Sequence, residues 1–331
     1  MKHNSETGTI RTHGSTVADD LAVLQDRHLR PVREGELREA LRLMIREAGS
    51  KIATIDAQVD AFIQLAGQQG CDLRGLTVLE RDGKLEGACC HIPQSGGTAF
   101  VFTSGTQADT SEAFSTAMAQ MHRQLAGRAF AAGSNLLQAL ILPEDDSRSK
   151  ILRQADYQLL TDLSYLRCDI GTSQVSVDTG EGINWLTYTS QHRELFKDVI
   201  ARTYRESLDC PELETKRSME NVLLGHQASG QFNPNLWFLL QVRGHPVGAL
   251  LLAPLRDGGA LELTYMGLEP SARGKGLGRV LLAQTLRVAK QQGMTYVLLA
   301  VDQRNAPAKR LYSFFGFTQL FDRRVFILSK K

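Results

Sequence analysis

The chain repeats itself. The run LTVLERDGKLEGACCHIP, from Leu76, lies beside WFLLQVRGHPVGALLLAP, from Trp237, at an offset of 161 residues without a gap. Leu79/Leu240, Gly83/Gly244, Gly87/Gly248, Ala88/Ala249 and Pro93/Pro254 are identical pairs. Each copy reads as strand, glycine turn, strand. At an offset of 160, residues 135–160 lie beside residues 295–320, with Tyr157 on Phe317 and Leu160 on Leu320. An offset that holds over so much chain constrains the fold strongly: the elements one half forms, the other must form too. Two homologous domains are expected, against the alternative of two unrelated α/β units with similar hairpins.

Within each copy a short strand (residues 29–33; residues 183–188) leads into amphipathic helices. Two antiparallel strands follow, then a third strand, a long helix, a buried strand, a helix and final strands. That order predicts the α+β class, with a mixed, mostly antiparallel central sheet flanked by helices in each copy. The expected boundaries are a flexible tail over residues 1–28, a first domain over 29–170, a linker over 171–182 and a second domain over 183–331. The linker, GTSQVSVDTGEG, is polar and carries glycines at both ends.

Composition narrows the function classes. Lys and Arg number 38 against 36 Asp and Glu, a formal charge of +2. So small a surplus creates no general field for nucleic acid or anionic membrane. No run approaches the roughly 18 uninterrupted apolar residues of a membrane span, and the first twenty residues lack the apolar core of a secretory signal. The five cysteines are odd in number and show no CxxC spacing, so neither a zinc site nor a disulfide framework is expected. Reduced thiols in a cytoplasmic protein, without a metal, fit this pattern, as monomer or homodimer.

One loop carries chemistry. An alternating strand over residues 261–268 runs into Glu269-Pro270, then Arg273-Gly274-Lys275-Gly276-Leu277-Gly278, then a helix with Leu277, Val280, Leu281 and Val288 on one face. Glycines before a helix let backbone N–H groups approach an anion, and the helix dipole adds roughly half a positive charge there. A pyrophosphate suits such a loop. A Walker A loop needs Ser or Thr after its lysine, but Gly276 follows Lys275. A Rossmann fingerprint needs GxGxxG after a first strand, but this loop reads GxGxG deep in its domain.

The run R-x-x-G-x-G at Arg273, Gly276 and Gly278 resembles the acetyl-CoA pyrophosphate loop of the GNAT N-acetyltransferase superfamily. Asn305-Ala306-Pro307-Ala308-Lys309-Arg310-Leu311-Tyr312, closing with Gly316-Phe317, resembles the superfamily signature N-x-x-A-x-x-L-Y-x-x-x-G-F. The resemblance covers residues 183–331, and residues 29–170 more weakly. It implies an N-acetyltransferase that moves an acetyl group from acetyl-CoA to a primary amine by direct attack, through a tetrahedral intermediate. Met266, Gly267 and Leu268 would then give main-chain contacts to pantetheine and the acetyl carbonyl. Arg273, Gly274, Lys275, Gly276, Leu277 and Gly278 would hold the pyrophosphate, with Arg279 close by. Asn305 would contact the cosubstrate or cap its helix. Tyr312 matches the family tyrosine that protonates the departing thiolate, the alternative being a packing role.

Glu262 falls where some family members carry a catalytic base. By strand alternation it shares a face with Thr264 and Met266; the alternative is a Glu on a half-exposed strand. The first copy lacks the loop: Glu112 stands opposite Arg273, and Ala113, Ser115 and Ala117 opposite the three glycines. Asp145 and Leu152 stand opposite Asn305 and Tyr312. This is similar to two-copy GNAT proteins with one degenerate half, mycothiol synthase among them. The acceptor would be a small-molecule or peptide amine. A non-catalytic acyl-CoA sensor, or a module recruiting a partner, is the alternative.

The loop Ser207-Leu208-Asp209-Cys210-Pro211-Glu212-Leu213-Glu214 offers three carboxylates. They would either draw in a cationic amine or begin the next helix. Cys89 and Cys90 alternate on a strand and read as buried hydrophobes, Trp237 reads as core, and Tyr204 reads as packing, the alternative being that it lines the acceptor channel.

Overall fold

Alternating apolar residues and long amphipathic stripes build a mixed sheet flanked by helices. The computed structural model describes residues 26–46, 52–68, 71–105, 111–171, 181–255 and 258–330. Most of the expected tail and of the 171–182 linker lies outside them.

The first half runs β1 (Arg27–Pro31), α1 (Leu37–Ile45), α2 (Ile52–Gln68), β2 (Thr77–Arg81), β3 (Lys84–Gln94), β4 (Thr98–Thr103), α3 (Glu112–Ala131), β5 (Leu136–Ile141), α4 (Asp146–Gln154) and β6 (Gln158–Asp169). The second runs β7 (Ile183–Thr187), α5 (Arg193–Tyr204), α6 (Met219–Ala228), β8 (Trp237–Val242), β9 (His245–Pro254), β10 (Ala260–Leu268), α7 (Leu277–Gln291), β11 (Tyr296–Asp302), α8 (Ala306–Phe314) and β12 (Thr318–Ser329). The two lists agree element by element, as the internal offset demands. The first strand begins two residues earlier than expected.

The halves do not close two separate sheets. Among the described residues the strands form one sheet, ordered β1-β2-β3-β4-β5-β12-β6-β11-β10-β9-β8-β7. Each half gives its last strand to the other: β12 pairs with β5, β6 pairs with β11, and β6 and β12 pair with each other at the centre. The central pair is irregular at Leu320 and at Leu160, residues one repeat apart in the sequence alignment. Among the described residues only β4/β5 and β10/β11 are parallel, the strands that a crossover helix joins.

The cores follow the exchange. Phe326 of β12 packs with the first half's α3 residues Phe114, Met118 and Leu125. Leu166 and Cys168 of β6 pack with Leu281 and Val288 of α7. Trp237 is fully buried beside Phe196 and Leu223, under α5 and α6. Cys89 and Cys90 fall into different core clusters, under α3 and under α1, as alternation requires.

Candidate active site

The site begins with a ladder that stops. β10 pairs with β9 out to Leu268, but with β11 only from Ala260 to Glu262, opposite Tyr296 to Leu298. Beyond that point β11 continues on β6 alone, so the facing edges of Leu263–Leu268 and Leu299–Asp302 part. That edge of β10 is where Met266, Gly267 and Leu268 lie; Arg273 takes the Leu268 carbonyl, and along an antiparallel strand alternate residues direct their main chain away from β9.

A β-bulge at Thr264 corrects the expected side-chain faces. Leu263 pairs with Leu252, Tyr265 with Leu251 and Met266 with Leu250, so Thr264 is the extra residue, and its hydroxyl donates to Leu251 O at 3.1 Å. Directly opposed residues share a face. Glu262 (opposite Ala253) therefore lies with Tyr265 (opposite Leu251) and Gly267 (opposite Ala249), not with Thr264 and Met266. Met266 instead packs against the α7 cluster with Leu261 and Leu263. Gly267 is small for a structural reason: a Cβ there would meet the Tyr265 hydroxyl at 2.5 Å and Thr203 of α5 at 2.9 Å.

At the start of α7, Gly274 and Gly276 take φ of +74° and +81°, the left-handed region that suits glycine, and a Cβ on either would meet nothing within 4 Å. Gly276 caps the helix with no side-chain bond, and the first turn holds no acid. Among the described residues the amides of Gly274 through Gly278 donate to no protein acceptor, leaving a cluster of N–H groups in the helix dipole. Gly274, Lys275, Gly276 and Arg279 are exposed, and the Arg279 guanidinium sits 4.6 Å from the Phe314 ring. Gly278 serves packing instead. A Cβ there would press on Leu311 at 3.1 Å, so the glycine lets α8 approach α7.

Arg273 does not point its side chain toward this cradle. Its guanidinium donates to Leu268 O, Thr203 O, Arg205 O and Glu206 O at 2.6–3.0 Å, tying the end of β10 to the end of α5. The first half makes the same tie with a residue that sequence reasoning missed. Arg148 donates to Thr103 O at the end of β4 (2.7 Å) and to Met44 O and Arg46 O at the end of α1 (both 3.0 Å). It also pairs with Asp145. The signal was present: Arg148 stands one repeat from Ala308, the small residue of the family signature. In the first half a buried arginine thus reaches the end of β4 from α4, where the second half has only alanine. The first half's long helix also begins differently, with Ser111 accepting from Phe114 N and Glu112 paired with Lys150.

Tyr312 is buried in the α7 cluster, its ring 5.6 Å from Phe317. Burial, reinforced by the nearby Asp209 charge, pushes its phenol above the ordinary tyrosine range. Among the described residues its hydroxyl has no hydrogen-bond partner. Asn305 acts as a helix cap, its side chain accepting from Ala308 N at 3.2 Å. Burial also raises the Glu262 carboxyl above its usual range.

The acidic loop is spent on structure. Asp209 accepts from Asp302 N at 3.0 Å, and Glu212 takes two hydrogen bonds from Arg304 at 2.6 and 3.0 Å. Cys210 N donates to the fully buried Asp302, which also accepts from Thr161 of the first half. Cys210 and Leu213 pack over Leu136, Leu160 and Val325. Two of the three carboxylates are thus hydrogen-bonded and anchor the loop across the exchanged strands.

Residues 200–317 match the acetyltransferase (GNAT) family. A mycothiol acetyltransferase of Thermomonospora curvata is 37% identical over 97 residues, covering 29% of this chain and 32% of that protein. Another, of Thermobispora bispora, is 30% identical over 159 residues, covering 46% and 52%. The matched stretches thus span between a third and about half of these relatives. A GCN5-related N-acetyltransferase structure from Sphaerobacter thermophilus shares the fold across both halves, with a TM-score of 0.65, 19% identity, and coverage of 92% of this chain and 95% of that one.

Proposed function

On the footing that residues 200–317 form a GNAT-family domain within a tandem chain, we propose that this protein is an acetyl-CoA-dependent N-acetyltransferase with one working site, in its second half. One observation carries the reading. The uncapped glycine start of α7 stands beside the parted edges of β10 and β11, while the first half caps the equivalent helix and sets Arg148 at the end of β4.

The residues present suit the cosubstrate. Free amides from Gly274 through Gly278 fit a pyrophosphate, with Lys275 and Arg279 adding positive charge at the rim. The open β10 edge at Met266, Gly267 and Leu268 offers main-chain partners to an amide-bearing arm. Acetyl-CoA, when bound, supplies the activated acetyl group as a thioester. Glu262, half-buried with its pKa raised by burial, is proposed as the group that takes the amine proton, because a carboxylate raised above its ordinary range is a stronger base. Tyr312, held protonated by burial, is proposed as the hydrogen-bond donor to the sulfur. Acceptor amines would enter on the face of Glu262 and Tyr265, beneath α5 and α6. No described helix is long and apolar enough to cross a membrane, and we read the acceptor as a small-molecule or peptide amine met in the cytoplasm.

Calorimetry with the full chain tests the reading. One acetyl-CoA per chain is expected, with Gly276→Glu abolishing it by adding bulk and negative charge to the cradle. Thiol release with a panel of amines then reports turnover. Two equivalent sites would refute the single-site assignment, and binding without turnover on any amine would identify a sensor instead.

A further inference from the structure

Two shielded polar atoms beside the cleft, on half-buried side chains, play no part in the reaction described above. Nε2 of His226, on α6, is shielded from solvent without a hydrogen-bond partner, and so is Nε of Arg217, two residues before α6. Among the described residues Arg217 has neither an ion pair nor a hydrogen bond. Arg217 lies within electrostatic reach of both His226 and Tyr204. The His226 ring rests 5.2 Å from Tyr265, and Tyr204 meets the same ring at 5.4 Å. The Tyr265 hydroxyl is held by Thr203 Oγ1 at 2.7 Å. This patch thus adjoins the β10 residue that shares its face with Glu262, on the proposed acceptor side.

A shielded donor without an acceptor is destabilising until something accepts from it. Arginine only donates, in a planar fork that matches a carboxylate. His226 is held neutral by burial, so it adds a single hydrogen bond rather than a second charge. One unpaired cation suits a singly charged planar anion better than a phosphate dianion. Resting on the acetyl-transfer reading, we propose that Arg217 and His226 form an acceptor subsite for a carboxylate. The acceptor is then an amine that also bears a carboxylate, as an amino acid or a peptide does.

The test uses the full chain and matched probes: several α- and ω-amino acids, each beside its own carboxamide, titrated with and without saturating CoA. The carboxylate member should bind about 10- to 100-fold more tightly, the range for a hydrogen bond to a charged group. That preference should vanish in Arg217→Gln and return in part in Arg217→Lys, with acetyl-CoA affinity unchanged in both. Equal binding within each pair, no binding by any probe, or a preference that survives Arg217→Gln would overturn the subsite. Binding is read without turnover, so the result does not depend on catalysis. Amines acetylated regardless of a carboxylate sink this inference alone, whereas failure to bind acetyl-CoA sinks the acetyl-transfer reading.

Discussion

The turn between β3 and β4, in the first half, bears directly on α6, in the second, and a single methyl group tests how tightly. At Gly96, φ is +80°, and a Cβ would lie 2.2 Å from the main-chain oxygen of Asn221 and 3.1 Å from Gly225 N. Both obstacles are backbone within a helix, so neither can rotate aside. Gly83, in the β2–β3 turn, supplies the control: φ is +75°, and a Cβ there meets nothing within 4 Å. Gly83→Ala should therefore cost only the left-handed conformation, about 1–2 kcal/mol. Gly96→Ala should add the strain of overpacking, a further ~1–3 kcal/mol. Both tryptophans, Trp185 and Trp237, belong to the second half, and Trp237 is buried under α5 and α6. Urea unfolding followed by their emission thus reports on the half that Gly96 does not belong to. The expected result is a clearly lower midpoint for Gly96→Ala than for Gly83→Ala, with faster amide exchange along α6. Equal midpoints would refute the claim that the first half braces this helix.

Other outcomes follow from the same geometry. Tyr312→Phe should lower turnover by about 10²–10⁴-fold if the phenol assists the leaving sulfur, and leave acetyl-CoA affinity near wild type; a loss below about threefold would return Tyr312 to packing. Ala308→Arg should place in the second half what Arg148 supplies in the first and abolish acetyl-CoA binding by calorimetry; unaltered binding would show that Arg148 does not explain the first half's loss. Glu262 is a carboxyl with a raised folded-state pKa, so its burial favours the fold while protonated and that advantage fades as pH rises through the shifted range. Glu262→Gln should thus be more stable than wild type near neutrality and match it in acid, while its rate loses the wild-type rise with pH. His122, fully buried and bonded to Thr103 Oγ1 at 2.8 Å, has its pKa lowered by burial from 6.5 to about 4. The unfolded chain then takes the proton first, so stability should fall as pH drops across that window, by roughly 3 kcal/mol in all; His122→Gln should flatten the profile in denaturant titrations.

The amino-acid sequence by itself determined the repeated order of elements, the glycine-rich start of α7 and the loss of that start in α3. Those features are local. Periodic apolar residues choose helix or strand, glycine alone tolerates φ near +80° at Gly276, and an acid at Glu112 in place of Arg273 can be read from an alignment of the chain with itself. The tertiary structure decided the rest. A strand's edge pairs with any compatible edge, so nothing local to β6 or β12 says that each crosses to the other half. Strict alternation put Glu262 with Met266, but one extra residue at Thr264 turned everything after it to the opposite face, because a pleat has a period of two. Arg273 looked like a phosphate ligand until the four carbonyls around it were in place, and Asp209 and Glu212 looked like a lure for cations until Asp302 and Arg304 met them. The Arg217 and His226 pair left no mark on the sequence, since what distinguishes it is the absence of partners, and only a packed structure can show which partners a polar group lacks.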